Sequence, residues 1–333
     1  MKLSTVFAPM LATPDHIAIA EQLGYERAWV FDTPHQSPDV WITLARAADK
    51  TERIGIGPGV LVPSLRHPMS AAAATATLAS LAPGRVAVAF GTGFTGRRAM
   101  GQNALPWNAV AQYVSAYRRL LRGEIVEWEG APIQMFNSAD RLADAARDVP
   151  ILLSAMGPKG ETIAKSLEVD GLMSFGSTVP AMKDFAWSVI QVGGTVLEEG
   201  EDADSDRVKA TAGPAWAISY HAAHDFQGGF AAVETMPGGK EWSEVIARTP
   251  EVERHLAIHD GHLMYLNEAD DAAWKGGGKA LLPDLTFSGD AGRLRDLIAS
   301  YAEEGVTEVA ILTSGPDIPH ELETYWKALD GIQ

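Results

Sequence analysis

Short apolar runs alternate with helical patterns along the whole of this 333-residue sequence, and this alternation limits the possible folds more than any other feature. Eight runs have the length of buried strands: residues 3–8, 27–32, 54–62, 86–91, 151–155, 171–175, 208–219 and 309–313. Continuous apolar runs are typical of parallel strands whose two faces are both covered. Helical patterns fall between them, at residues 16–23, 40–48, 69–81, 107–121 and 161–168. Eight such units predict an α/β fold, a closed (β/α)8 TIM barrel.

Three segments depart from the alternation. One, at residues 197–206, is acidic and expected to be solvated, and we expect the other two to be insertions in one barrel. The first, at about residues 124–136, contains WEGAP at 128–132 and predicts a small hairpin. The second, at about 222–278, is too long for a bare loop and predicts helices and part of a lid. Barrels of this size are commonly one domain, so residues 1–333 are expected to form a single TIM-barrel domain.

Prolines mark the starts of the predicted helices. Each follows an apolar run and precedes a helical pattern: Pro14, Pro38, Pro68, Pro158 and Pro180. Proline suits the first helical position because its missing N–H would have no partner there. Thr13 and Ser37 each precede a proline and are candidate N-caps. Functional groups gather at the carboxyl ends of barrel strands, so these helix starts locate the expected site.

Charge and composition narrow the classes of partner. A net charge of −16 argues against a surface that follows nucleic-acid phosphates. The absence of cysteine rules out disulfides, thiolate metal ligands and a cysteine nucleophile, and it suits a reducing cytoplasm. No apolar run approaches the roughly 20 residues of a membrane span. We therefore expect a cytoplasmic protein with a small-molecule substrate, and neither a nucleic-acid nor a membrane partner.

The segment GTGFTG at residues 91–96 matches the G-x-G-x-x-G spacing of dinucleotide-binding folds. That interpretation needs the motif after the first strand and an acidic residue about 20 positions later, at the end of the next strand. Here the motif follows the fourth expected strand, and the expected position of the acidic residue falls within a helical pattern. The glycines instead indicate a tight loop that a ligand can approach closely, with Arg97 and Arg98 beside it.

Several segments together resemble the bacterial-luciferase-like family of flavin- and deazaflavin-dependent oxidoreductases. IGIGPGV at 54–60 and PSLRHP at 63–68 look like its third-strand pattern, especially in the branch of methylenetetrahydromethanopterin reductase. AWVFD at 28–32 with SPDV at 37–40 is similar to its second unit. Further similar segments lie at 91–101, 152–159 and 168–171. The resemblance covers the first 180 residues well and the remainder loosely.

The resemblance implies a cofactor at the carboxyl ends of the strands. Strand three should end in a bulge with a cis peptide between Gly59 and Val60, behind the central ring. The loop at 155–159 should cradle a phosphate, which agrees with the affinity of helix N-termini for anions. The residues implied to bind the cofactor are Ala8, Gly59, Val60, Arg66, Gly91, Thr92, Gly93, Ser154, Ala155, Met156, Gly157, Pro158, Lys159, Phe175 and Gly176.

Candidate catalytic residues are Asp32 and His35. Similar sequences often place a histidine directly after the aspartate, but here that position is Thr33. His35 has the pKa range of an acid–base group, yet a surface histidine and a structural Asp32 remain alternatives.

The expected substrate-pocket residues are Phe94, Trp216, Tyr220, His259 and His262, with core packing an equal alternative for Trp216. His255, His259 and His262 have a spacing that resembles metal ligands. No His-x-His pair follows the first strand, so no metal is expected.

Two enzymatic functions and one binding function remain. With coenzyme F-420 the protein would be a reductase or dehydrogenase that transfers hydride to or from a small organic substrate. With FMN it would be a monooxygenase. A flavin-binding protein without turnover is the third interpretation. The basic residues Arg66, Arg97, Arg98 and Lys159 favour F-420, whose acidic tail needs cationic partners. The resemblance also implies a homodimer.

Overall fold

The computed structural model describes residues 1–36, 38–136 and 146–332. The strands in this part are β1 (Lys2–Phe7), β2 (Arg27–Val30), β3 (Gly55–Leu61), β4 (Val88–Phe90), β5 (Val126–Trp128), β6 (Ala131–Ile133), β7 (Ile151–Ser154), β8 (Gly171–Phe175), β9 (Ser188–Gly193) and β10 (Glu308–Leu312).

Eight of these strands form a closed parallel barrel in the order β1-β10-β9-β8-β7-β4-β3-β2. The first and last strands close it, with Leu3 opposite Val309 and Val6 opposite Leu312. The predicted TIM barrel is confirmed. Seven of the eight expected strands are present at the expected places, and their side chains are almost entirely buried on both faces.

The prediction of a strand at residues 208–219 is wrong. That segment lies inside a 22-residue helix, Asp206–Gln227, and the missing strand is β9. A short apolar run cannot by itself distinguish a buried strand from a buried helix. The run is rich in alanine, a helix-favouring residue, and the Ser205 hydroxyl accepts a hydrogen bond from the Val208 N–H as its N-cap. These local features favour the helix.

The α-helices of the described part are α1 (Thr13–Leu23), α2 (Val40–Ala48), α3 (Pro68–Leu81), α4 (Phe94–Arg98), α5 (Trp107–Leu121), α6 (Pro158–Ser166), α7 (Asp206–Gln227), α8 (Phe230–Val233), α9 (Gly239–Ala247), α10 (Arg254–His259), α11 (Glu268–Lys275), α12 (Leu282–Leu285), α13 (Ala291–Glu303) and α14 (Ile318–Ala328). Short 3-10 helices occur at Pro63–Leu65, Pro180–Asp184, Glu251–Glu253 and Gly278–Leu281.

Proline opens several helices as expected, but the predicted caps differ. Pro14, Pro68, Pro158 and Pro180 occupy first-turn positions. Thr13 is not an N-cap; its hydroxyl donates to the Ala8 carbonyl at 2.7 Å and accepts from the Met10 N–H, so it ties the loop after β1. Ser37 lies outside the described residues. The cap of α2 is Asp39, which accepts from Trp41 and Ile42 N–H groups.

The two segments expected to be insertions contain the predicted hairpin and the predicted helices. Strands β5 and β6 form the antiparallel hairpin. The second insertion carries helices α8 to α11, and it packs with α7 around a core of its own that includes Trp216, Tyr220, Trp242 and Trp274. This core begins with Val208 of α7, before the expected start of the insertion. Among the described residues, no helix is long and apolar enough to cross a membrane.

A polar network fixes the start of α7 to the barrel. The Arg207 guanidinium donates to Glu201 at 2.9 Å, to the Thr195 hydroxyl at 3.0 Å and to Glu321 at 2.7 Å. Thr195 follows β9, and Glu321 belongs to α14. One guanidinium therefore joins the long helix to two parts of the barrel.

Replacing Glu201 by Gln tests this network. Hydrogen bonds from Arg207 lower the pKa of Glu201 to about 2. Because the pKa is lowered in the folded state, the stabilisation is present above the ordinary value of 4.5 and is lost as the pH falls towards 2. We expect Glu201→Gln to reduce the free energy of unfolding by about 1–2 kcal/mol at pH 7. Urea denaturation should show a smaller difference at pH 3. The exposed neighbour Glu199→Gln is the control, and an equal loss at both pH values would contradict the ion-pair explanation.

Candidate functional site

A cavity of about 370 Å³ lies at the carboxyl ends of the barrel strands, within the size range of small-molecule sites. Its wall includes residues from or just after β1, β2, β3, β7, β8, β9 and β10. Of the residues predicted to bind the cofactor, six line it: Gly59, Val60, Gly93, Ser154, Met156 and Phe175. Asp32, Phe94 and His262 line it as well.

The bulge of β3 forms part of the cavity wall. The peptide bond between Gly59 and Val60 is cis, as the resemblance implied, and the register with β4 shifts between Gly59 and Leu61. The Gln191 side-chain amide donates to the Gly59 carbonyl at 3.2 Å. A Cβ atom at Gly59 would lie 2.9 Å from the Trp29 ring. The bulge is thus held from β9 and leaves no room for a side chain at this glycine.

The loop at residues 91–96 also forms part of the wall. Gly93 has a φ of 74° and caps the start of α4. Phe94 stacks on Phe226 of α7, with ring centroids 3.7 Å apart. Arg98 lies over the Phe226 ring, and Arg97 donates to the Asn103 carbonyl. Both arginines lie outside the lining residues, so they support the loop and do not line the cavity.

Asp32 is the buried carboxylate of the cavity, with only 2% of its side chain exposed. Arg66 donates to Asp32 and, at 2.6 Å, to Asp39. Burial raises the pKa of Asp32, and the positive charge of Arg66 limits that rise. Arg66 was predicted to bind the cofactor, but its guanidinium contacts these two carboxylates and lies outside the cavity lining.

The start of α6 lies next to a cavity-lining residue and has no side-chain cap. Its N-cap is Gly157, so no side chain caps the first turn, and nothing lies within 4 Å of the position of a Cβ there. Met156, directly before it, lines the cavity and is 54% exposed. Free N–H groups at such a helix start favour a phosphate or carboxylate. Lys159 is exposed in this first turn.

The remaining predicted cofactor residues lie around the cavity without lining it. Ala8 and Ala155 are buried in the core, and Gly91 packs behind the bulge, where a Cβ would lie 2.8 Å from Val60. Thr92 accepts a backbone hydrogen bond from Leu105. Gly176 lies in a neighbouring cavity that Phe175 also lines. Pro158 belongs to the exposed first turn of α6.

Two predicted pocket residues were placed wrongly. Trp216 and Tyr220 are fully buried in the core of the insertion, where Trp216 donates to the Gly278 carbonyl and Tyr220 to the Pro237 carbonyl. They were expected at the end of a strand, but they lie on α7 and face away from the barrel cavity. His35 and His259 line a different cavity, between the loop after β2 and α10.

Sequence analysis missed the contribution of α7. Ile218, Ala222 and Phe226 line the cavity at intervals of four residues, which is helical spacing. Once the segment is interpreted as a helix, this spacing identifies the face. Gln191 was missed because β9 was not recognised.

A family model described as luciferase-like monooxygenase matches residues 8–308. The chain belongs to the luciferase-like family.

Two proteins with similar sequences are a reductase and a dehydrogenase, and the name of the second includes F420. The 5,10-methylenetetrahydromethanopterin reductase of Methanolobus tindarius is 32% identical over 198 residues, which are 58% of each chain. An F420-dependent glucose-6-phosphate dehydrogenase of Intrasporangium calvum is 31% identical over 162 residues, or 43% of this chain and 48% of that protein. The matches therefore span about half of these relatives.

A solved structure with low sequence identity has the same fold. It is a coenzyme F420-dependent tetrahydromethanopterin reductase from Methanopyrus kandleri, with a TM-score of 0.66, 18% identity and 98% of each chain covered. At this identity the similarity supports the fold alone.

Gly93→Ala tests how tightly the cavity wall is packed. A Cβ at Gly93 would lie 2.5 Å from a Val62 methyl group. Gly84 is a matched control because its φ of 73° is nearly the same and nothing lies within 4 Å of its Cβ position. Because an alanine is disfavoured at a positive φ, both substitutions should lower the free energy of unfolding by about 1 kcal/mol. Gly93→Ala should cost roughly 1–3 kcal/mol more for overpacking. Urea denaturation measures the free energy of unfolding of each variant. An equal decrease in the two variants would show that the cavity wall accommodates the added methyl group without strain.

Proposed function

We propose that this luciferase-like protein binds coenzyme F-420 in the barrel cavity and transfers hydride between it and a small organic substrate. The observation that carries the proposal is the β3 bulge at Gly59 and Val60, which forms the cavity wall beside the uncapped start of α6. The bulge is suited to a planar ring, and the start of α6 is suited to an anionic tail. The name of the relative from Intrasporangium calvum supports the choice of F-420, and the name of the relative from Methanolobus tindarius supports a reductase.

The residues present fit such a cofactor. Val60 and Phe175 offer apolar surface to a ring, and Gly59 contributes backbone to the same cavity wall. Gln191 holds the Gly59 carbonyl and fixes the shape of the wall. Met156 and Gly157 lead to the free N–H groups of α6 for the tail. When bound, the deazaflavin supplies a carbon that gives or takes a hydride, and the barrel orients it and excludes water.

Asp32 is the proposed proton-holding residue of the site. It lines the cavity, its carboxyl group is almost completely buried, and burial raises its pKa. His35 lies in the neighbouring cavity, so the acid–base role is assigned to Asp32 alone. Arg66 positions the Asp32 carboxyl group through their hydrogen bond.

The second candidate function is that of an FMN-dependent monooxygenase, because the matching family model bears the description luciferase-like monooxygenase. A flavin-binding protein without turnover is the remaining alternative. We also propose a single barrel domain with two insertions, a homodimer and a cytoplasmic location. The mass of the protein by light scattering after gel filtration tests the dimer.

Parallel titrations with F-420 and FMN, followed by fluorescence of the nine tryptophans, test the cofactor. We expect micromolar binding of F-420 and no response to FMN. Binding of FMN alone would replace the proposal by the monooxygenase function. Absence of binding by either cofactor would contradict both enzymatic functions.

Lys159→Ala should weaken F-420 binding by roughly two- to fivefold, the usual effect of one charge at a helix start. Lys165 is the control in the same helix, where it forms an ion pair with Asp184. Lys165→Ala should leave the affinity unchanged. If both variants bind F-420 with the affinity of the unchanged protein, the acidic tail of the cofactor does not bind at the start of α6.

A further inference from the structure

Three histidines meet between α7 and the segment that follows α10. His221 lies on α7, His259 ends α10, and His262 follows in the next turn. Each is 3–4% exposed. Their ring centroids are 5.6, 5.9 and 6.0 Å apart. One nitrogen atom of each ring lies within 4.8 Å of those of the other two.

The Nδ1 atoms of these three rings are buried, and none has a hydrogen-bond partner within the described part of the chain. On two of the rings the other nitrogen is engaged: His221 Nε2 lies 2.9 Å from Asp270, and His259 Nε2 lies 3.0 Å from Asp225. A carboxylate can only accept, so Nε2 carries the proton in the neutral ring. The Nδ1 atoms of His221 and His259 then present lone pairs. Buried acceptors without partners are costly, so a cluster of them indicates a ligand.

The two carboxylates are themselves held in place. Asp270 also accepts from the Trp242 indole at 2.9 Å and forms the capping box of α11 with Asn267. Asp225 also binds His224 Nδ1 at 3.0 Å. A carboxylate that holds the far nitrogen of a histidine is the usual support for a metal ligand, because it fixes the ring and increases its basicity.

Negative charge lies directly behind two of the rings, because Asp270 is 2.9 Å from His221 and Asp225 is 3.0 Å from His259. Neutral imidazole is the form that coordinates a metal. The charges of Asp225 and Asp270 would balance a divalent ion.

We propose that His221, His259 and His262 form a binding site for one divalent transition-metal ion of the zinc type, through their Nδ1 atoms. Tetrahedral bonds of about 2.0–2.1 Å place ligand nitrogens about 3.3 Å apart, so the rings would move slightly inward. Three protein ligands leave a fourth position open, as in catalytic zinc sites.

The open position would be accessible from the main cavity, because His262 is one of the residues that line that cavity. It suits a water molecule or a substrate oxygen, which points to alcohol or carbonyl substrates. The site goes beyond the proposed function and differs from the sequence-based expectation of no metal. Its three ligands are independent of whether the cofactor is F-420 or FMN.

Metal binding by the full-length protein tests the site directly. Chelator-treated protein would be titrated with Co²⁺, whose visible absorption reports four-coordinate geometry, and with Zn²⁺ in competition. We expect one ion per chain, Co²⁺ bands that Zn²⁺ removes, and a Zn²⁺-dependent rise in Tm. His262→Gln and His259→Gln should remove the bands. Asp270→Asn should weaken the affinity by about 10- to 100-fold, as loss of a supporting carboxylate does.

His255→Gln is the matched control, because His255 lies one turn before His259 on α10 and is outside the cluster. It should bind Co²⁺ as the unchanged protein does. Circular dichroism identifies any variant that fails to fold, and the stoichiometry of the unchanged protein tests the proposal without any variant. Folded protein that binds no Co²⁺ or Zn²⁺, or binding that persists in a His259→Gln/His262→Gln double variant, would overturn it. Failure of F-420 binding would leave these metal results unaffected.

Discussion

Closure of the barrel by the pairing of β1 with β10 is the constraint on which the rest of the structure depends. It gives each of the eight strands two neighbours, so their backbone groups are paired without an exposed edge. Because all eight run in parallel, their carboxyl ends meet at one mouth. Residues far apart in sequence, such as Val6, Gly59 and Gln191, thereby line one cavity.

The long helix α7 connects this mouth to the inserted helices. Its start is fixed to the barrel through Arg207, and its middle carries Trp216 and Tyr220 into the core of the insertion. Another face, with Ile218, Ala222 and Phe226, lines the cavity. One helix therefore contributes both to the cavity wall and to the core around Trp216 and Tyr220.

Asp32 and the three-histidine cluster, both buried near the mouth, differ in whether their polar atoms have partners. Asp32 has its charge compensated by Arg66, which is itself shared with Asp39, so this group is complete without a ligand. The histidines at 221, 259 and 262 have unpartnered buried nitrogens, and carboxylates hold the other nitrogen of the first two. Of the two, only the histidine cluster has buried nitrogens without a hydrogen-bond partner in the described part of the chain.

The sequence alone determined the barrel, most of its strands, the hairpin and the bulge at Gly59, since these follow from local apolar runs, turn residues and a family pattern carried by neighbouring residues. It could not distinguish the helix at 206–227 from a strand, because burial hides the periodicity of both. Tertiary structure alone decided which groups meet: Gln191 with Gly59, Arg66 with Asp32 and Asp39, and His221 with two histidines nearly forty positions later. Such contacts depend on how helices and loops pack at the mouth, and that packing is set by the whole chain rather than by any local pattern.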